Sequence, residues 1–156
     1  MNDVPAGLPL LPLVQQGDAC SRSVRFSRED IATFACISGD SNPLHHDQQA
    51  AQRARHGEII ASGEHTTALL IGLASAHFSL ADASGPREVL CLNFNFAFKA
   101  PVFAEQTIEL SWKVASVEPN TRLGGLLVQL DGKAAVRYAT PAVVGRGTLL
   151  IKTARA

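Results

Sequence analysis

The feature that most constrains the fold is a run of apolar and small residues from Glu64 to about Phe78, followed by four long stretches with strand character. Apolar side chains lie nearly all round the predicted helix, so we expect it to be buried on most sides. In residues 107–117 apolar and polar side chains alternate, as they do in strands with one buried face. A helix followed by a long antiparallel sheet predicts an α+β domain in which the sheet wraps around the helix.

The residues before this helix predict one strand and a capped helix. Residues 18–26 read as the first of five strands. Ser27 and Asp30 have the spacing of a capping box, and Gly39 is suited to end the helix that follows. The predicted buried face of this helix consists of Ile31, Phe34, Ala35 and Ile37.

Further turn signals divide the rest of the chain. Asp47 is predicted to cap a second short helix over residues 48–55, and a turn is predicted at residues 118–120. Residues 125–152 predict a final hairpin, for which two turns remain open. Asp131-Gly132 is a strong local hairpin signal. A turn at residues 139–141 gives longer strands and is preferred, with Gly132 as a bulge.

Composition narrows the possible partners. The 156 residues contain 14 basic and 14 acidic side chains, so no net charge attracts nucleic acid or an anionic membrane. No apolar stretch reaches the ~20 residues that span a bilayer. The three cysteines are too few and too widely spaced for a disulfide framework. We therefore expect them to be small apolar residues of the core, and we expect the protein to lie in a reduced, cytoplasmic compartment. Residues 1–17, rich in proline and unlike a signal peptide, are predicted to form an extended arm before a domain of residues 18–156.

The segment from Ser38 to His45 carries the clearest chemical signal. Asp40 and His45 are five residues apart and are joined by Ser, Asn and Pro, which favour turns. A carboxylate and an imidazole that converge on one water molecule form a minimal general acid/base pair. A turn that merely ends a helix is the alternative reading.

The chain resembles the MaoC-like dehydratase and (R)-specific enoyl-CoA hydratase family, which has the hot-dog fold. The fixed positions of the family's hydratase motif are filled by Phe34, Ile37, Ser38, Gly39, Asp40, Asn42, Pro43, Leu44, His45 and Ala51. Residues 60–66 look like the start of the family's central helix, and residues 98–102 look like its strand at the sheet edge. The chain departs from the family at Glu64, where a large apolar residue is expected, at Ser62, where hydratases often have His, and at residues 104–106, which replace a Gly-Asp turn.

The resemblance implies hydration of a trans-2-enoyl thioester, carried by CoA or by an acyl carrier protein, without a cofactor or metal. Asp40 and His45 would hold the water, and the backbone N–H of Gly63 would stabilise the thioester oxygen. Asn42 would organise the loop, and Ser62 or Thr66 would orient a catalytic side chain. Lys99, together with Arg53 and Arg55, is a candidate to bind CoA phosphates. The fold also implies a homodimer or a dimer-based assembly.

Two other functions remain open at this stage. Thioesterases of the same fold usually place a carboxylate on or near the central helix, and Glu64 is the feature that favours this reading. The second alternative is a non-catalytic subunit that binds acyl thioesters. His65 is predicted to be a hydrogen-bonded core histidine. His45, His46 and Asp47 do not predict a metal site, because adjacent residues cannot all face one ion.

Overall fold

The protein is described by a computed structural model that covers residues 14–81 and 85–153. Most of the predicted arm, residues 1–13, lies outside these ranges. A 3-10 helix of one turn, Pro43–His45, precedes the second α-helix. In chain order the other elements are β1 (Ala19–Arg25), α1 (Arg28–Ser38), α2 (Gln48–Arg53), α3 (Gly63–Phe78), β2 (Arg87–Phe98), β3 (Thr107–Asn120), β4 (Gly125–Val136) and β5 (Val143–Thr153).

The five strands form one antiparallel sheet in the order β1-β3-β4-β5-β2. The predicted α+β domain, with a five-stranded sheet around one central helix, is therefore confirmed. The sheet's inner face packs against α3, and the largest buried side chain on that face is Trp112. The β1 and β2 strands form the two edges of the sheet.

Local signals set both ends of α1. Ser27 and Asp30 form the predicted capping box, in which each side chain accepts a hydrogen bond from the other residue's backbone N–H. Gly39 ends the helix with a left-handed φ of 74°. Ile37 does not belong to the buried face, since 79% of it is exposed. At about 100° per residue, Ile37 lies far round the helix from Ile31.

The other two helices differ from the prediction in extent or in burial. Asp47 caps α2 as predicted, but the helix ends at Arg53, two residues early. The central helix begins at Gly63, close to the predicted start, but it is not buried on most sides. One sheet covers only one side of it, and the opposite side exposes Glu64 and a stripe of small residues: Ala68, Gly72 and Ala76.

The hairpins β3–β4 and β4–β5 do not turn at the residues with the strongest local turn signals, which are 118–120 and Asp131-Gly132. The turn predicted at residues 118–120 is wrong, because these residues lie in β3 and Pro119 pairs with Leu126. The turn follows at residues 121–124, where Gly124 supplies a φ of 65°. The preferred turn of the last hairpin is confirmed, since β4 ends at Val136 and β5 begins at Val143.

Gly132 is not the predicted bulge. It pairs in regular register with Trp112 on β3 and Gly145 on β5, whereas the bulge between β3 and β4 lies at Ala115. A Cβ on Gly132 would overlap the ring of Trp112. Glycine is therefore required at this position because an aromatic ring covers the backbone, and not because of the local conformation.

The same device recurs at the neighbouring strands. Rings of Phe96 and Phe94 lie over Gly145 and Gly147, where a Cβ would come within 2.4 Å and 2.5 Å of ring carbons. Both rings also pack near Trp112, with centroid distances of 6.2 Å and 5.6 Å. Glycines in β4 and β5 thus make room for an aromatic layer between the sheet and α3.

The cysteine prediction is wrong in its placement. Cys36 and Cys91 are exposed and Cys20 is half-buried, and all three are free thiols. No helix within residues 14–81 and 85–153 is long and apolar enough to cross a membrane.

Two glycine substitutions test this packing. Gly132→Ala is expected to lower the free energy of unfolding by about 1–3 kcal/mol, because the new methyl group displaces the buried Trp112 ring. Gly72→Ala is the matched control, since a Cβ there meets open space and alanine raises helix propensity by up to about 1 kcal/mol. Urea unfolding measures both changes, and equal effects of the two substitutions would contradict the account of Gly132.

Candidate active site

A network of short-range hydrogen bonds fixes the loop that follows α1. The N–H of Asp40 donates to the Ala35 carbonyl at 2.9 Å, which closes the helix. Asp40 Oδ1 accepts from the N–H of Asn42 at 3.0 Å, and Asn42 Oδ1 accepts from the N–H of Leu44 at 3.1 Å. Asn42 therefore organises the loop as predicted, and the second oxygen of Asp40 is left to point elsewhere.

That oxygen faces His45. The Oδ2 atom of Asp40 lies 3.3 Å from Nε2 of His45, so the structure brings the two predicted catalytic side chains together. His45 is 5% exposed, and its Nδ1 donates to the carbonyl of Ile60 at 2.7 Å. Because a carbonyl can only accept, Nδ1 carries hydrogen, and a hydrogen bond between Nε2 and Oδ2 at 3.3 Å needs one further proton. The pair can therefore both accept and donate a proton.

The carbonyl that holds His45 belongs to a short ladder of backbone hydrogen bonds. The N–H of Ile60 donates to the carbonyl of Leu44 at 3.2 Å, so the chain passes close to the 3-10 helix. On either side, Ala61 N–H donates to Val102 at 2.8 Å and Ala104 N–H donates to Ile59 at 3.0 Å. The position of the Ile60 oxygen is thus set by main-chain pairing.

The start of α3 supplies the hydrogen-bond donors. Ser62 is the N-cap, and its Oγ accepts from the N–H of His65 at 3.2 Å. Gly63 is the first helical residue, and helix geometry leaves its N–H without an acceptor in the helix. The ring of Phe98 lies over Gly63 so closely that a Cβ would come within 2.5 Å of Phe98 Cε1. A larger residue at this position would require the exposed Phe98 ring to move.

A cavity of about 600 Å³ connects these groups. Of the predicted site residues, it is lined by His45, Gly63, Thr66 and Lys99. Asp40 lies on the wall of a neighbouring cavity of about 400 Å³ and meets the first cavity through its contact with His45. Asn42 and Ser62 line neither cavity. Their side chains hold the loop and cap the helix.

The rim of the larger cavity is charged. Arg55, His56 and Lys99 are exposed there, together with Glu64. Arg53 does not line the cavity. Glu64 is exposed, and in the first turn of α3 its carboxylate favours the positive end of the helix dipole. The carboxylate of Glu64 therefore lies at the cavity edge, next to the residue that presents the free amide, Gly63.

His65 is a core histidine, but it is stacked and not hydrogen-bonded at Nδ1. Its ring lies parallel to Phe34 at 4.3 Å and is tilted against Phe26 at 4.6 Å. Its Nδ1 is buried without a hydrogen-bond partner. Burial lowers the pKa of His65, and the nearby Asp30 carboxylate opposes that effect. His65 thus fills the interface between α1 and α3 as a neutral ring.

Sequence reasoning missed two parts of the site. The carbonyl of Ile60 orients His45, and the ring of Phe98 covers Gly63. Main-chain contacts leave no signal in residue type. In the sequence, Phe98 was read as an apolar strand residue and as the first of residues 98–102, which resemble the family's strand at the sheet edge. Within the described residues, no group of three His, Cys, Asp or Glu side chains is placed to hold a metal ion.

Comparison with known proteins gives a consistent family. The family described as MaoC like domain matches residues 13–126. A 3-hydroxybutyryl-CoA dehydratase from Methylorubrum extorquens is 31% identical over 119 residues, which cover 71% of this chain and 72% of that protein. An R-hydratase from Pseudomonas aeruginosa in its unliganded form has a TM-score of 0.74 and 21% identity over 90% of this chain and 84% of the other. An (R)-hydratase from A. caviae involved in PHA biosynthesis has a TM-score of 0.72 and 24% identity over 88% and 96%.

The environment of His65 predicts acid sensitivity. Because burial lowers its pKa in the folded state, the unfolded chain binds a proton more readily, and stability falls as the pH drops through the ordinary histidine value of about 6.5. His65→Phe keeps a stacked ring but cannot titrate. Between about pH 7.5 and about pH 5.5, the variant is expected to lose less unfolding free energy than the wild type in urea titrations. Parallel losses in the two proteins would contradict this role.

Proposed function

Because the chain belongs to the MaoC-like dehydratase family, we propose that it is a hydro-lyase that hydrates enoyl thioesters and dehydrates the corresponding 3-hydroxyacyl thioesters. The proposed reaction is the (R)-specific hydration of a trans-2-enoyl-CoA. The observation that carries the proposal is the contact between Asp40 and the buried His45 beside the free amide of Gly63. The related dehydratase of Methylorubrum extorquens acts, by its name, on a CoA thioester of this kind.

In the proposed reaction, one water is held by Asp40 and His45. Its oxygen forms a bond to the β-carbon while its proton passes to the pair. The pair delivers a proton to the α-carbon on the same face, so that one molecule of water is added in a syn sense. The single proton that the contact between Nε2 and Oδ2 requires is what allows the two side chains to take and give a proton in one turnover.

The Gly63 amide is the proposed site for the thioester oxygen. Negative charge develops on this oxygen as the carbonyl becomes enolate-like, and a preformed N–H donor at the positive end of α3 stabilises it. Thr66 lies one turn further along the helix on the cavity wall. Lys99 and Arg55 at the rim are proposed to contact phosphates of the carrier, because both are exposed cations at the opening.

A thioesterase is the second candidate, and the observation that favours it is Glu64 beside Gly63 at the cavity edge. The two reactions are separated in one assay with crotonyl-CoA. Loss of the enoyl absorbance without free thiol indicates hydration, whereas release of thiol indicates hydrolysis. Glu64→Gln tests the same choice. A hydratase is expected to change its rate by less than about threefold, because this exposed carboxylate only faces the helix dipole. A thioesterase would lose most of its activity.

Replacing either catalytic side chain tests the mechanism. Asp40→Asn and His45→Gln are each expected to lower kcat by about 10²–10⁴-fold, the contribution of a positioned general acid or base. His46→Gln is the matched control, because this exposed histidine is next to His45 but does not line the cavity that contains the Gly63 amide. If either active-site variant keeps more than half of the wild-type rate, these roles are wrong. Unchanged activity of both would favour a non-catalytic binding subunit.

We further propose a homodimer in which β2 pairs with its copy. This strand of 12 residues is an edge of the sheet and exposes Leu90, Leu92 and Phe98. Long apolar edges promote association unless they are covered. Sedimentation at micromolar concentration is expected to show a dimer, and a biological interface should bury more than about 1,000 Å². An active monomer would contradict this arrangement.

A cytoplasmic location stays a prediction from the cysteine pattern.

A further inference from the structure

The turn between β4 and β5 contains an aromatic residue in an unfavourable conformation. Tyr138 has a φ of 64° and is 94% exposed. Ala139 N–H donates to the Val136 carbonyl at 2.9 Å, so Tyr138 is the third residue of a four-residue turn. A positive φ at this position is ordinarily supplied by Gly or Asn, and a bulky side chain makes it costly. The turn itself therefore gives no reason for a tyrosine.

The other non-glycine residue with a positive φ among the described residues, Glu105, has clear compensation. Its N–H donates to the Phe26 carbonyl at 2.6 Å, and its carboxylate pairs with Arg25 at 2.8 Å. The ring of Tyr138 contacts the guanidinium of Arg137, whose Cζ lies 5.0 Å from the ring centroid. The tyrosine thus forms an aromatic and cationic platform that faces solvent.

This platform is attached to the mouth of the candidate active site. The carbonyl of Ala142, at the end of the same turn, accepts hydrogen bonds from Lys99 at 2.7 Å and from Ala100 at 3.2 Å. Lys99 and Ala100 line the cavity, and so does Val143, the first residue of β5. The turn therefore lies at the end of the sheet where the cavity and its cationic rim open.

We propose that Tyr138 and Arg137 bind the nucleotide of CoA, with the adenine stacked on the tyrosine ring and a phosphate paired with the guanidinium. This rests on the proposed function, and it gives the CoA carrier named there a binding site for its nucleotide. A CoA thioester and an acyl-carrier thioester share the pantetheine arm that enters the cavity, but only CoA brings a base and a nucleotide phosphate to the mouth. An aromatic ring can stack on any nucleobase, because every base has a flat π-face. Arginine binds phosphate in a bidentate manner. The platform accordingly assigns CoA as the carrier.

The test compares crotonyl-CoA with crotonyl-pantetheine, which lacks the nucleotide. Tyr138→Gly removes the ring and relieves the turn. It is expected to lower the ratio of kcat/KM for crotonyl-CoA to that for crotonyl-pantetheine by at least about fivefold, through KM for crotonyl-CoA. Tyr138→Phe keeps the ring and is expected to restore the wild-type ratio. The melting temperature of Tyr138→Gly is expected to be unchanged or higher, which separates the binding effect from a folding defect.

Leu123→Gly is the matched control, because this half-exposed apolar residue lies in the turn at the opposite end of β4. An unchanged ratio in Tyr138→Gly, or an equal drop in Leu123→Gly, would overturn the proposal. So would a loss confined to crotonyl thioesters of an acyl carrier protein, which would indicate docking of that protein.

Calorimetric titration with free CoA separates this proposal from the proposed function. If the wild type hydrates neither thioester but binds CoA, a weaker Kd in Tyr138→Gly by at least about fivefold supports the nucleotide site alone. An equal Kd in the two proteins refutes it whether or not the enzyme is active.

Discussion

The rest of the structure depends on one hydrogen bond that joins the sheet to α3. The indole N–H of Trp112, in the middle of the sheet, donates to the carbonyl of Leu70, in the middle of α3, at 2.7 Å. The ring is buried, so this bond is made away from water, and breaking it would leave a buried donor unpaired. It fixes how α3 lies on the sheet. Because α3 begins at Gly63, it also fixes where the helix presents its free amide to the cavity.

The layers fit together because small and large residues alternate across them. Glycines in β4 and β5 stand beneath Trp112, Phe94 and Phe96, so the aromatic rings lie against the backbone of neighbouring strands. The outer side of α3 shows a different pattern, with small residues open to solvent. A single sheet and a single helix thus leave one apolar side of the helix uncovered. For this reason, the apolar composition of α3 predicted burial on most sides, whereas one side of the helix is exposed in the single chain.

The sequence was informative wherever a local chemical rule governs the structure. The capping box at Ser27, the left-handed Gly39 and the turn from Asp40 to His45 depend on residues close together in the chain, and all three were predicted. The bulge at Ala115 and the turn after Asn120 depend on pairing between strands, which no short window contains. The exposure of Cys36 and Cys91 depends on which faces of α1 and β2 pack against the core. In the site, the contact between Asp40 and His45 was expected, whereas the covering ring of Phe98 required the folded arrangement of β2 over α3.

The bond from His45 to the carbonyl of Ile60 has a consequence for how this site tolerates change. A side-chain partner for the imidazole would be lost in a single substitution, but a main-chain oxygen is present whatever residue occupies position 60. Its place is kept by the flanking backbone pairs at Ile59 and Ala61, which are equally indifferent to side-chain identity. The tautomer of His45 is therefore determined by the course of the main chain and not by a neighbouring side chain. Genetic drift can alter the residues around it extensively without disturbing which nitrogen carries the hydrogen.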